Sequence, residues 1–275
     1  MFPSGTKRIA AFLALAMVGV ILVYWLERGE STENDTMRYD SSDDIEMLRI
    51  QVVERYPHAR DAFTQGLVWH DNMLYESTGQ YGASTLRLVD LLSGQLHRRV
   101  DLDAEFFGEG LARVGDRLIQ LTWHEGKALV YRLDNFEKVA EFDYQGEGWG
   151  LCYDGQKLFM SDGSAFLTVR HPETFAQQGR IQVTIRGRPQ AGLNELECVD
   201  GLIYANVWQY DQILRIDKNT GRVTALIEGA GLLDESVRHT VDVLNGIAYM
   251  PERKRFLITG KYWPFIFEAS FVSAK

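Results

Sequence analysis

A three-residue pattern recurs five times along this chain, at Gln65-Gly66-Leu67, Glu109-Gly110-Leu111, Trp149-Gly150-Leu151, Asn194-Glu195-Leu196 and Asn245-Gly246-Ile247. The steps between third positions are 44, 40, 45 and 51 residues, the period of propeller blades. Each repeat holds short β-like runs, as in Gly110 to Val114, Leu118 to Trp123, Ala128 to Leu133 and Lys138 to Tyr144, separated by Gly-Asp, Asp-Gly, Ser-Gly and Asn-Thr-Gly turns. The spacing predicts an all-β chain, a five-bladed β-propeller. The fifth repeat has only three runs: Gly246 to Met250, Arg255 to Tyr262 and Phe265 to Val272. Leu48 to Tyr56 has no repeat of its own and is expected to supply the fourth, closing the ring through the N-terminal strand and covering exposed strand edges.

With 45% hydrophobic residues and 25 glycines in 275, the chain suits one large β core, and residues 47–275 are read as that domain. A formal net charge of −9 with no basic stripe excludes a nucleic-acid partner. Lys7 and Arg8 precede an uncharged run of 18 residues, Ile9 to Leu26, so residues 1–26 are read as a transmembrane anchor, with a cleaved signal segment as the competing reading. The bulky Tyr24-Trp25-Leu26 end favours the anchor. Positive charge before the span places the propeller outside the cytoplasm, in a periplasm-like space: held at the inner membrane if the span stays, free or secreted if it is cut. Residues 27–46 carry eight acidic and two basic side chains and read as a flexible acidic linker. Cys152 and Cys198 lie near the first strands of neighbouring repeats; a disulfide and two buried thiols both fit.

Superimposing the repeats puts Gln65, Glu109, Trp149, Asn194 and Asn245 at the start of each innermost strand. The following strand returns antiparallel, so its end comes back to the same face. That position, thirteen residues after the second residue of each pattern, holds Gly79, Trp123, Gly163 and Trp208; a fifth hairpin about two residues longer brings Lys261 there. One face thus gathers Gln65, Glu109, Trp123, Trp149, Asn194, Trp208, Asn245 and Lys261, which differ from repeat to repeat as contact with an asymmetric ligand requires. The plainer readings are a solvated Glu109–Lys261 rim pair, tryptophans packed between blades, and amides tying off loops. Asp162-Gly163-Ser164 reads as a turn near the same face. The six histidines show no metal-ligand spacing, and no Gly-x-Ser-x-Gly elbow or phosphate loop is present.

These residues resemble the plant and bacterial type of glutaminyl-peptide cyclotransferase, the glutamine cyclotransferases. The resemblance rests on Phe63-Thr64-Gln65-Gly66-Leu67, Phe107-Gly108-Glu109-Gly110-Leu111, Leu121-Thr122-Trp123, Gly146-Glu147-Gly148-Trp149-Gly150-Leu151, Leu193-Asn194-Glu195-Leu196-Glu197, Ala205-Asn206-Val207-Trp208 and Leu244-Asn245-Gly246-Ile247-Ala248. It spans about residues 50 to 268 and leaves out the membrane run and linker. It implies a five-bladed propeller that turns the N-terminal glutamine of peptide or protein substrates into pyroglutamate, releasing ammonia, with no cofactor required for catalysis; the sequence leaves a structural metal ion open. By the same resemblance Glu109 is the general acid and base. For the other pocket members the roles are expected from their chemistry: Gln65 and Lys261 to polarise the γ-carbonyl or hold the first peptide carbonyl, Asn194 to orient the γ-amide, and Trp123, Trp149 and Trp208 to form the wall, with Asn245 beside them. The rivals are a propeller that binds an envelope peptide or protein partner without turnover, and a metal-dependent lactonase-like propeller, for which Glu109 and Asn194 supply too few ligands.

Overall fold

The computed structural model describes residues 44–274; the span at 1–26 and all but the end of the acidic linker lie outside them. The first strand, β1 (Glu46–Pro57), is followed by four sets of four strands. They are β2 (Thr64–His70), β3 (Met73–Thr78), β4 (Thr85–Val89) and β5 (Leu96–Asp101); β6 (Gly108–Val114), β7 (Arg117–Thr122), β8 (Lys127–Arg132) and β9 (Lys138–Asp143); β10 (Leu151–Tyr153), β11 (Leu158–Met160), β12 (Phe166–Arg170) and β13 (Gln177–Gln182); and, after the small hairpin β14 (Thr184–Ile185) and β15 (Arg188–Pro189), β16 (Leu193–Val199), β17 (Leu202–Val207), β18 (Gln212–Asp217) and β19 (Val223–Glu228). A one-turn helix α1 (Glu235–Arg238) leads to β20 (Leu244–Met250), β21 (Arg255–Gly260) and β22 (Phe265–Ser273).

Each set is an antiparallel meander, and β1 completes the last one by pairing antiparallel with β22 from Leu48 opposite Ser273 to Pro57 opposite Phe265. On its other side β1 pairs in parallel with β19, joining the fourth and fifth sets into one eight-stranded sheet. Tyr56 donates to Glu268 on β22 at 2.7 Å, and Glu268 also accepts from Arg253 and Arg255, so charge-assisted bonds fasten this closure.

Apolar residues collect at five seams between successive sets. Tyr75 and Leu86 of the first set meet Leu111 and Leu118 of the second, and Ile119 and Val130 meet Leu151 and Leu158. Leu167 meets Leu196 and Ile203, Ile213 meets Ile247 and Ile258, and Ala248 with Leu257 returns to Leu67 and Leu74 of the first set. The first strands are buried while β5 and β9 are mostly exposed, so polarity rises outward along each sheet.

The recurring glycine has a steric cause. A Cβ on Gly66 would lie 2.5 Å from Leu111 N, on Gly110 2.5 Å from Leu151 N, and on Gly150 2.0 Å from Asn194 O. The innermost strands therefore approach closer than a side chain permits. The fourth repeat has Glu195 instead, whose buried carboxyl accepts from Ile247 N at 2.8 Å and from Leu67 N at 3.3 Å and so spans to two other sets. Burial, reinforced by Glu197, pushes the Glu195 carboxyl well above the usual carboxylate range. Cys152 on β10 and Cys198 on β16 form a disulfide, fastening the short third inner strand to the fourth.

Candidate active site

In four sets the register between the first and second strands slips at the same place: between Thr64 and Gly66, Gly108 and Leu111, Leu193 and Leu196, and Leu244 and Ile247. The bulges hold Gln65, Glu109, Asn194 and Asn245, the last three each with the following residue, Gly110, Glu195 and Gly246. A bulge releases a side chain from the alternation of its strand and re-aims it, which is how a β-sheet delivers polar groups toward one end. In the third set Trp149 occupies the corresponding point just before β10, where its N–H donates to Ser161 O at 3.0 Å.

The return strands end in register with these bulges. Gly79 N donates to Phe63 O, Trp123 N to Phe107 O, Trp208 N to Gly192 O and Lys261 N to Val243 O, each acceptor two residues before a bulge residue. The two glycines among the five return positions make room for rings: a Cβ on Gly79 would lie 2.1 Å from Phe107, and one on Gly163 2.7 Å from Trp149.

Together these elements enclose a cavity of about 350 Å³ lined by Gln65, Glu109, Trp123, Trp149, Asn194, Trp208 and Lys261, with Phe63, Gln80 and Phe107. Its walls are mostly aromatic: Phe107 meets Trp123 edge to face at 5.4 Å and Trp149 meets Trp208 at 5.5 Å, with Trp208, 42% exposed, the most open of the three tryptophans. Phe63, Gln80 and Phe107 were not singled out from the sequence. A signal for the two phenylalanines was there, since Phe-x-Gln/Glu-Gly repeats at 63–66 and 107–110. Gln80 sits at φ 123° after a glycine and carries no such repeat.

Asn245 does not line the cavity. It is fully buried behind Gln65, donating through Nδ2 to Thr64 O at 2.9 Å and to Gln65 Oε1 at 3.1 Å. The backbone also differs here: Gly246 has φ +125°, in the region that favours glycine, whereas Gly66 and Gly110 do not. A backbone carbonyl only accepts, so Thr64 O fixes the Asn245 amide. Asn245 in turn holds the Gln65 oxygen and leaves the Gln65 amide nitrogen to donate to Glu109 Oε1 at 2.9 Å.

Glu109 and Lys261 are 4% and 5% exposed, so they are not a solvated rim pair. Burial pushes Glu109 well above the usual carboxylate range; Lys261 opposes this, and the charges of Glu125 and Glu147 add to it. Burial also lowers Lys261, while Glu109 and Asp242 draw it back up. The lysine nitrogen stands 4.5 Å over the Phe63 ring, a cation–π distance. Gln120 donates to Ser77 Oγ at 2.7 Å, and Ser77 Oγ donates to the Glu109 carbonyl, fixing the bulge from behind. Ser161 Oγ does the same for Asn194 O at 2.7 Å. The Asn194 Oδ1 is buried without a hydrogen-bond partner among the described residues, an acceptor left for something in the cavity.

Asp162 caps its own turn, accepting from Ser164 N at 3.0 Å. Among the described residues no group of three or more His, Cys, Asp or Glu is placed to hold a metal ion, and no helix is long and apolar enough to cross a membrane. A second cavity of about 320 Å³ is lined by Asp200, Arg215, Lys254 and Phe256 and shares no residue with the first. Its Arg215 is already paired with Glu46 at 2.9 Å.

A sequence profile of the glutamine cyclotransferases matches residues 21–271. The chain is 38% identical over 269 residues to a glutaminyl-peptide cyclotransferase of Arabidopsis thaliana, covering 95% of this chain and 83% of the relative. It also superposes on the crystal structure of Myxococcus xanthus glutaminyl cyclase with a TM-score of 0.79 at 42% identity, covering 84% of this chain and 100% of that one. An all-β fold, a buried acid in an aromatic cavity and these likenesses lead to one statement: the chain belongs to the glutamine cyclotransferase family.

Proposed function

We propose that this protein closes the N-terminal glutamine of a peptide into pyroglutamate with loss of ammonia, and that Glu109 carries the proton. The activity, glutaminyl-peptide cyclotransfer, is an acyl transfer on peptide or protein substrates, and it is that of the family to which the chain belongs. The observation that carries the mechanism is the buried Glu109 carboxyl, held by Gln65 in an aromatic cavity beside Lys261.

On cyclisation the attacking α-amine loses one proton in becoming an amide, and the departing nitrogen gains one in leaving as ammonia. A single group that takes and returns one proton therefore serves both halves. An α-ammonium has an ordinary pKa of about 7.7–8.0. Burial raises Glu109 above the usual carboxylate range, which makes it a stronger base toward that ammonium than an ordinary carboxylate. The nucleophile is tethered to its electrophile, so positioning supplies much of the remaining rate. Asn194 offers its unpartnered oxygen to the γ-amide N–H, while Lys261 and the second N–H of Gln65 stabilise the developing oxyanion. The tryptophan wall fits the five-membered ring and keeps out the water that would yield glutamate instead. No step is routed through a metal.

The wider reading is a five-bladed propeller whose last blade is completed by β1, supported by the five apolar seams that run from set to set and back to the first. The proposal also keeps the N-terminal span as a membrane anchor with the catalytic unit outside the cytoplasm. The Cys152–Cys198 disulfide supports it, since such bonds persist in oxidising compartments.

Two outcomes are expected. Residues 44–275 release ammonia from a Gln-initiated dipeptide, with or without prior EDTA treatment, and leave the N-acetylated dipeptide untouched. Equal release from the blocked peptide would make the protein an amidase, none from either would favour the binding module, and a loss in EDTA restored by zinc would overturn the metal-free mechanism. Second, Glu125→Gln removes one of the charges that raise Glu109, so the limb of kcat/KM against pH that reports Glu109 moves to lower pH. The shift is read at low salt, where screening is weakest, and an unmoved limb would detach that limb from Glu109.

A further inference from the structure

The motif Gly146-Glu147-Gly148-Trp149 contains an acid that makes no contact in the proposed reaction, although its charge helps to raise Glu109. Two residues before the bulge the first two sets place cavity-lining rings, Phe63 and Phe107; the third set places Glu147 at the same point, two before Trp149. One of its oxygens, Oε2, accepts from Trp123 Nε1 at 2.8 Å and from Trp149 Nε1 at 2.9 Å. Its other oxygen faces His124 Nδ1 at 3.6 Å, and the His124 ring stacks on Trp123 with centroids 3.8 Å apart.

An indole has one donor and no acceptor, so a ring whose N–H is engaged has its rotation about the side-chain torsions fixed. Trp123 directly follows β7, the second strand of the second set, and Trp149 precedes β10, the first strand of the third, and no direct ring contact between these two is needed when one oxygen holds both. Aromatic packing alone is tolerant of orientation; two charge-assisted bonds converging on one atom are not. We infer that Glu147 is a positioning residue, a clamp that sets the planes of Trp123 and Trp149 and thereby the width of the cavity that receives the substrate side chain. The catalytic consequence rests on the cavity being the cyclisation site, while the clamp itself does not.

Two substitutions separate acceptor from charge. Glu147→Leu keeps bulk and removes the acceptor; Glu147→Gln keeps one oxygen for both indoles and removes the charge. In Glu147→Leu the KM for a Gln-initiated dipeptide is expected to rise about tenfold, the size of one lost bond to a charged group, with kcat changed far less. The indole N–H resonances of Trp123 and Trp149 should shift in the ¹⁵N spectrum of the same protein. In Glu147→Gln both KM and the indole resonances return close to wild type, while the Glu109 limb of the pH profile moves to lower pH because one of the charges that raise it is gone. Unmoved indole resonances in Glu147→Leu, a loss confined to kcat, or a Glu147→Gln as impaired in KM as Glu147→Leu would each overturn the clamp. If the unaltered protein turned over no Gln peptide, the functional reading would fall, and the indole spectra would still decide the clamp.

Discussion

Glu109→Gln is expected to lower kcat by roughly a hundredfold to ten-thousandfold, the span attached to a positioned acid or base. The amide keeps the shape of the carboxyl and can still meet Gln65, yet it exchanges no proton at neutral pH. KM should change little, because Trp123, Trp149 and Trp208 still build the walls. Trp208→Phe gives the opposite pattern, a rise in KM with a smaller effect on kcat, since that ring lies at the exposed side and touches no proton in transit. Steady-state kinetics on folded proteins from pH 6 to 9 check both. A Glu109→Gln enzyme with wild-type kcat across that range would take the proton away from Glu109 and overturn the mechanism.

Gly150→Ala is expected to destabilise the protein by roughly 3 kcal/mol, at the upper end of the cost of overpacking. The new methyl would sit 2.0 Å from Asn194 O, and that carbonyl has little freedom to retreat. It accepts from Ser161 Oγ, and the disulfide joins the same two inner strands nearby. For a chain of this size the loss corresponds to a fall in Tm of about 6–12 °C. Gly179→Ala is the control: nothing lies within 4 Å of its added carbon, and its φ is not in the left-handed region. Its effect should stay within about 0.5 kcal/mol. Thermal unfolding of the two variants that differed by less than 2 °C would mean the inner strands can part without cost.

Much of this architecture was legible because the repeat is steric in origin. The glycines at 66, 110 and 150 stand where two innermost strands nearly touch, and the residues just before them, Gln65, Glu109 and Trp149, line the cavity. The counting to the return strand was legible for the same reason, and it located Trp123, Trp208 and Lys261. What the repeat cannot encode is where a bulged side chain finally points. Asn245 shares its place in the pattern with Gln65 and Asn194, yet its amide is buried against Thr64 O and Gln65 Oε1 instead of facing the cavity. Gln80 and Glu147 depend on loop paths that differ from set to set. Whether Cys152 and Cys198 were bonded depended on a 5.5 Å separation between Cα atoms that no spacing in the sequence specifies.

The strand that closes the fifth sheet also sets a clock on folding. Tyr56 on β1 bonds Glu268 on β22, 212 residues further along the chain. At 5–20 residues per second the ribosome needs roughly 10 to 40 s to bridge that interval. For all of it β1 has emerged while its main partner does not yet exist, whereas each of the first four sets can assemble from neighbours already made. A long, unpaired, apolar strand would be an aggregation hazard over such a wait. β1 is apolar in more than half of its positions, with Met47, Val52 and Val53 exposed even in the finished fold, but Glu46, Arg49, Glu54 and Arg55 are spaced along it. Those four charges break up the apolar run and oppose its pairing with other chains until the last strand arrives.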